Sequence, residues 1–328
     1  MCQGMVKFFF RRLLLMIPVL LGATVVIFTI MYFIPGDPAV AILGSTAMPY
    51  EVELLREQMG LNDPYILRLG RYLYDVYVRF DLGRSYLTGV PITTQLLERL
   101  PSTLLLGSCS IIVTVIVGIP LGINAAVHRD TIADWLPLSI ALVGVSMPGF
   151  WFALMLVLIF AVHLKWLPAY GLGGVEYWIL PILAGSFNGI ASMARQARAS
   201  VLDVINSDYV VMARAKGLSE RAIIFKHVLP NAMIPIITIM GATFAGVLGS
   251  GMLVEMIFSV PGVGYFMVKS VNNRDYPAVQ GSVLFFSIAF TLIMLLTDLA
   301  MAAVDPRIKA QFAGGSRKKE RKEATANG

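Results

Sequence analysis

The sequence predicts an all-α polytopic membrane protein of about six transmembrane helices, and three observations predict it. Of 328 residues, 57% are hydrophobic and only 14% are charged, against roughly 45–50% and 25% in soluble domains, and the mean hydropathy is +0.75. Several uncharged stretches reach the roughly 20 apolar residues that a helix needs to cross about 30 Å of hydrocarbon. The basic residues behind the net charge of +6 sit beside these stretches, which fits orientation in a lipid bilayer and argues against nucleic acid as a partner.

The first element is an uncharged run from Leu13 to Ile34, preceded by Lys7, Arg11 and Arg12 and closed by Pro35-Gly36-Asp37-Pro38. A cleaved signal peptide has the same polarity, but its apolar core is about 7–15 residues and ends in small ones. This run is longer and ends in bulky residues, so residues 1–34 read as a cytoplasmic start and a retained span. Residues 35–99 differ in kind, with charges of both signs, many Tyr and Arg, and turn signals at Asn62-Asp63-Pro64, Asp81-Leu82-Gly83 and Gly89-Val90-Pro91. They form an extracytoplasmic segment. Within it Pro49 opens a helix that runs to Met59 and stops at Gly60, and Asp63-Pro64 starts another. Along that second helix Ile66, Leu69, Leu73, Val76 and Tyr77 share one face.

Five more runs follow, forming a core over residues 100–304. They are Leu100–Val127, Trp135–Val162 with a kink at Met147-Pro148-Gly149, Tyr177–Ala194, Met233–Leu253 and Val279–Ala303. The fifth span carries Gly241, Gly246, Gly249 and Gly251, which suit close helix contact in lipid. With both termini in the cytoplasm, 17 of the 26 basic residues face inward, as the positive-inside rule favours. The basic tail, residues 305–328, is polar and Gly-rich and reads as disordered. The only cysteines, Cys2 and Cys109, argue against a disulfide framework.

No glycine-rich phosphate loop and no His/Cys/Glu set at metal-ligand spacing occurs, so the chain offers no catalytic, cofactor or metal site of its own and is not an enzyme. Ion-coupled transporters place ionisable residues inside their spans. Here the spans hold only Glu255 and Asp298, each near a span end, and capping or pairing suits both better than ion coupling. The remaining candidate is the cytoplasmic loop 195–231. Ser207 or Asp208 caps a short helix through Lys216, Gly217 stops it, and Ser219 caps a second helix that ends near Leu229-Pro230. Such a knob suits the grip of another protein, although an ordinary basic inner loop accounts for the same charges.

The loop contains Ala213-Arg214-Ala215-Lys216-Gly217 and, after nine residues, His227-Val228-Leu229-Pro230-Asn231. This resembles the EAA signature of ABC importer permeases. Met212, Arg214 and His227 depart from the general pattern, in the form familiar in the branch that carries dipeptides, oligopeptides, nickel and glutathione. Seven further segments in order resemble the B-type, or first, permease of that branch, among them Phe33-Ile34-Pro35-Gly36-Asp37-Pro38, Asp81-Leu82-Gly83-Arg84-Ser85-Tyr86, Phe258-Ser259-Val260-Pro261-Gly262-Val263-Gly264, Arg274-Asp275-Tyr276-Pro277 and Asp305-Pro306-Arg307.

The resemblance implies a type I ABC importer permease fold in a bacterial or archaeal cell membrane. It implies a second homologous permease, two ATPase subunits that hold the ATP and Mg, and an extracytoplasmic substrate-binding protein. Ala213, Arg214, Ala215, Lys216, Gly217, Leu229, Pro230 and Asn231 would form the ATPase-coupling loop, with Arg214 and Lys216 facing acidic groups of the ATPase. Arg84, Tyr86, Pro261, Gly262, Arg274 and Tyr276 would contact the binding protein, although the segment 35–99 also suits a self-contained cap. The implied cargo is a di- or oligopeptide, with nickel, a metal chelate or glutathione as the alternative and an ion-coupled secondary transporter ranked below. Residues lining the substrate path are unassigned.

Overall fold

A computed structural model describes residues 2–304 apart from Ser45 and Leu172, and the side chains of residues 9–301 within that range. The expectations for Cys2, Lys7 and the tail 305–328, Asp305-Pro306-Arg307 included, lie outside the described residues or side chains. The described chain is helical, with one isolated bridge between Arg84 and Pro91.

Helix α1 (Cys2–Phe33) runs antiparallel to α13 (Tyr276–Val304), the Arg12 guanidinium meeting Asp298 at 3.1 Å. Asp298 is therefore a pairing residue near a span end. Between Phe33 and Ile92 lie three short helices, α2 (Pro38–Leu43), α3 (Pro49–Gln58) and α4 (Tyr65–Tyr77). Gly60 follows α3 with φ of +64°. Helix α4 lies along α1, with Tyr65 hydrogen-bonded to Thr29 and Tyr77 to Thr24, and Tyr72 stacked on Phe28. Of the face read from the sequence, Val76 is buried and Leu69, Leu73 and Tyr77 are half-buried, whereas Ile66 is 80% exposed and Tyr65 and Tyr72 take part in the packing instead. Periodicity placed Ile66 with the apolar set, but it cannot discriminate against amphipathic tyrosines, which bury ring and hydroxyl together.

Helix α5 (Ile92–Val127) starts eight residues before the apolar run does. Its first turns pack through Ile92 and Leu96 on Val263, Phe266 and Ala278, and Arg99 covers the Phe266 ring at 4.4 Å. The kink at Pro148 is a full break: α6 (Ile132–Ser146) and α7 (Gly149–Leu156), which continues as a π-helical turn (Val157–His163), meet at 103°. Proline removes a backbone donor and pushes the preceding residue to extended geometry, and Met147 has ψ of 133°.

Helix α8 (Glu176–Ile205) stands at the centre, packed by α5, α6, α7 and α11 (Leu229–Ile257). Gly122 of α5 lies directly on the Ala194 carbonyl and the Ala197 methyl of α8, an approach no larger residue permits. Among the described residues four helices, α1, α5, the continuous stretch Glu220–Ile257 and α13, are long and apolar enough to span a membrane, and the bent pair α6–α7 gives a fifth if it is one span. Helix α8 is not among them. Its Ser186, Asn188 and Ser192 lower its hydropathy, which a helix surrounded by protein instead of lipid tolerates. Of the glycines expected to mediate contact in α11, Gly241 meets Thr297 of α13, whereas Gly246, Gly249 and Gly251 have open space around them.

Candidate coupling site

The candidate loop is shorter than the sequence suggests, because α8 continues unbroken through Arg195 and Arg198 to Ile205. The turn at Asn206-Ser207 then gives α9 (Asp208–Ala215). Ser207 precedes the helix in extended geometry, but its hydroxyl donates back to the Val204 carbonyl at 2.6 Å instead of capping. The other end follows the expected stop: Gly217 has φ of +76°, its N–H donates to Arg214 at 2.9 Å, and the Leu218 N–H donates to Ala213 at 3.3 Å. These two bonds are the Schellman pattern, which satisfies the last carbonyls of a helix.

Helix α9 has two opposed faces. Val210 and Ala213, one turn apart, sink into a cluster with Ala126 of α5, Met193, Ala197 and Val201 of α8, and Ala232 and Ile236 of α11. A fully buried valine contributes about 1.5–3 kcal/mol, so this short helix is anchored in the buried cluster that α5, α8 and α11 share. On the other face Tyr209, Val211 and Met212 are exposed, Met212 by 62%. Ala215 and Lys216 are also exposed. Arg214 is engaged within the loop, its guanidinium making two bonds to Glu220 at 2.7 and 3.2 Å.

Ser219 caps α10 (Glu220–Ile223) through the Ala222 amide. The helix does not end at Leu229-Pro230. It passes through a π-helical turn (Ile224–Val228) into α11, with the Leu229 N–H bonded to the Ile224 carbonyl. A proline within a helix lacks its donor and crowds the carbonyl four residues earlier. The wider turn relieves this, and the Asn231 side chain donates to the His227 carbonyl at 2.9 Å. Leu229, Pro230 and Asn231 therefore form a rigid joint between the knob and a span.

The six residues expected to meet a binding protein divide. Arg84 and Arg274 are exposed, whereas Tyr276 and Gly262 are buried, and Tyr86 and Pro261 are half-buried. Gly262 packs against Glu255, whose carboxylate accepts from the Thr103 hydroxyl at 2.7 Å and the Tyr265 amide at 2.9 Å. Glu255 thus ties the turn before α12 (Val263–Asn272) to α5. Asp275 holds the Ser85 hydroxyl and the Tyr86 amide, joining the two outer segments.

The family described as the binding-protein-dependent transport system inner membrane component matches residues 118–310, and its N-terminal region matches residues 5–107. The chain belongs to this family. Among the members it resembles is the dipeptide transport system permease protein DppB of Alkalihalophilus pseudofirmus, 40% identical over 93% of this chain and all of that one. Another is the glutathione transport system permease protein GsiC of Escherichia coli K12, 40% identical over 93% of this chain and 99% of that one. Two crystal forms of the inward-facing MetNI methionine ABC transporter share the fold, at 18% identity and TM-scores of 0.53 and 0.56, covering 65% and 64% of this chain and 97% and 96% of theirs.

One pair in this family member escapes sequence reasoning. Asp134 of α6 is 3% exposed, and its two oxygens take the Arg198 guanidinium at 2.6 and 2.7 Å. Arg198 is a positive-inside charge by sequence, yet it is a clamp between α6 and α8, one residue from Ala197 of the cluster that holds α9. The available signal was an acid in the first turn of an apolar run beside Arg129 and Asp130.

Proposed function

We propose that this chain is one of two transmembrane subunits of an ABC importer in a bacterial cell membrane, moving di- or oligopeptides inward by alternating access. Its six-span topology has both termini in the cytoplasm, with the bent pair α6–α7 and the central α8 completing the set. Separate ATPase subunits hydrolyse the ATP and seat α9 in a groove, and an extracytoplasmic binding protein delivers cargo to the opposite side, where Arg84 and Arg274 are exposed. The observation that carries the coupling role is the two-faced α9, sunk through Val210 and Ala213 into a cluster built from α5, α8 and α11 and bare on its other side. A push on that side moves three spans together, which is how a packed element transmits a discrete switch. Because Arg214 is held by Glu220, the exposed apolar residues and Lys216 are the contacts left for the ATPase.

Peptide cargo rests on the DppB relative, and the equal identity of GsiC favours glutathione as a second cargo. The test is purification of the intact complex, identification of co-purifying subunits, and ATP hydrolysis measured with added dipeptides, glutathione or nickel. Stimulation by dipeptides supports the proposal, stimulation by glutathione alone selects the second cargo, and absence of an ATPase from the complex refutes both.

A further inference from the structure

Where the Phe33 end of α1 meets α4 and the segment Asp81–Tyr86, the protein forms a cavity of about 330 Å³, within the roughly 300–1,000 Å³ of small-ligand sites. Phe28 and Met31 supply apolar lining, and Arg68, Tyr72, Arg84 and Tyr86 supply polar lining. The charges here are unevenly satisfied. Arg71 pairs with Asp63 at 2.9 Å and Asp75 with Arg79 at 3.3 Å, while Asp81 accepts from the Gly83 amide. Arg68 and Arg84 have no carboxylate within 4.0 Å among the described residues. Arg68 donates to the Leu61 carbonyl at 3.3 Å and stands 5.2 Å from the Tyr32 ring centre, and Arg84 donates to the Gly89 carbonyl at 3.0 Å.

The Tyr72 hydroxyl is buried and, among the described residues, has no hydrogen-bond partner. A buried polar group without a partner is destabilising, and Tyr72 lines this cavity, so a ligand that accepts from its hydroxyl is favoured. The Tyr72 and Tyr86 hydroxyls are protonated donors at neutral pH, and burial moves them further from ionisation, raising the Tyr72 phenol above its ordinary range and pushing Tyr86 up to about 12. Two guanidiniums with spare donors and one unpaired phenol are oxyanion chemistry, and the planar guanidinium fork matches phosphate. The cavity also lies at the last turns of Phe9–Phe33, a helix apolar enough to span a membrane. Span ends lie at the level of lipid headgroups.

We infer that this cavity binds a phosphate oxyanion through Arg68, Arg84 and the Tyr72 hydroxyl, and that the phosphate is that of a phospholipid headgroup at the Phe33 end of α1. The test uses the full chain, purified with its co-purifying subunits in detergent, titrated with phosphatidylglycerol and with phosphate-free diacylglycerol. Native mass spectrometry counts the retained lipid, and inorganic phosphate is added as competitor. Retention of phosphatidylglycerol over diacylglycerol is expected, with Arg68→Gln weakening it about tenfold, as loss of one charge-assisted hydrogen bond implies. Tyr72→Phe removes only an unpartnered hydroxyl, so it keeps the fold and is expected to weaken retention severalfold even if Arg68→Gln fails to assemble. Lys269→Gln, an equal loss of charge outside the cavity, is expected to change nothing. Equal retention of diacylglycerol, wild-type affinity in Tyr72→Phe, or an equal loss in Lys269→Gln overturns the site. Displacement of the lipid by an equal concentration of inorganic phosphate overturns the lipid as its source.

Discussion

Replacing Gly217 perturbs the turn that ends α9, proposed to couple to the ATPase, in two graded steps. With φ of +76° and nothing within 4 Å of the position a Cβ would take, alanine there meets no atom and costs only its left-handed backbone, about 1–2 kcal/mol. Proline is different in kind, because its ring fixes φ near −65°. It also deletes the N–H that donates to Arg214 at 2.9 Å, a bond contributing about 1 kcal/mol. Lys216, now at φ −78° and ψ 2°, would be driven toward extended geometry by the proline after it. Together these effects reach about 3 kcal/mol or more, comparable with what the single buried Val210 holds in place. The assay is cargo uptake and ATP hydrolysis in proteoliposomes containing the assembled complex, with membrane insertion checked separately. Gly217→Ala is expected to keep most ATP hydrolysis and lose uptake severalfold, and Gly217→Pro to insert normally and transport nothing. Full transport by Gly217→Pro would refute the assignment of this turn as the coupling element.

Four further outcomes follow from the same geometry. Asp134→Asn leaves Arg198 without its carboxylate and is expected to destabilise the protein by about 3 kcal/mol in thermal unfolding, the low end for a broken buried pair because Arg198 is partly exposed; a double change with Arg198→Met that loses more than Asp134→Asn alone would show that the two do not act as a pair. Glu255→Gln places an amide donor against the Thr103 hydroxyl or the Tyr265 amide, costing about 1–3 kcal/mol, and the turn at residues 258–262 should become cleavable in limited proteolysis; an unchanged cleavage rate contradicts this. Tyr86, raised by burial from 10.0 to about 12, contributes stability that is fully present below pH 10 and is lost as pH rises through about 12; the melting-temperature difference between wild type and Tyr86→Phe should shrink over that window, and a constant difference would oppose it. Met212→Asp, on the bare face of α9, should leave thermal stability unchanged while weakening retention of the ATPase by about 2 kcal/mol if Met212 is a contact hot spot; unaltered retention removes Met212 from the interface.

What the sequence discloses and what it hides divide by the range of the interaction. Four of the predicted spans and the bent pair are legible because about 20 uncharged residues point to a membrane helix, whereas the fourth run, Tyr177–Ala194, lies in α8, which is not among the helices apolar enough to span; α9 is legible because Gly217 and the residues around it set their own backbone. The length of α8 is not, since Arg195 and Arg198 mark a cytoplasmic charge equally well on a loop or on a helix that leaves the membrane intact. Choosing between them requires Asp134, 64 residues away. Pro230 reads as a helix end because proline is an ordinary stop signal, and only the π-helical turn before it lets the helix proceed. Glu255 was recognised as a structural residue by its place near a span end, but its partner Thr103 lies 152 residues earlier. In the segments 35–99 and 258–278 the Tyr and Arg content suggests contact with another protein, and there Tyr276 and Gly262 are buried while Arg84 and Arg274 are exposed.

The most direct measurement is cargo uptake into proteoliposomes holding this chain with and without its ATPase subunits, under ATP or under an imposed ion gradient. Energy supplied through α9 predicts uptake that requires the ATPases and ATP and ignores proton or sodium gradients. Uptake by the chain without ATPases, driven by either gradient, would contradict the account.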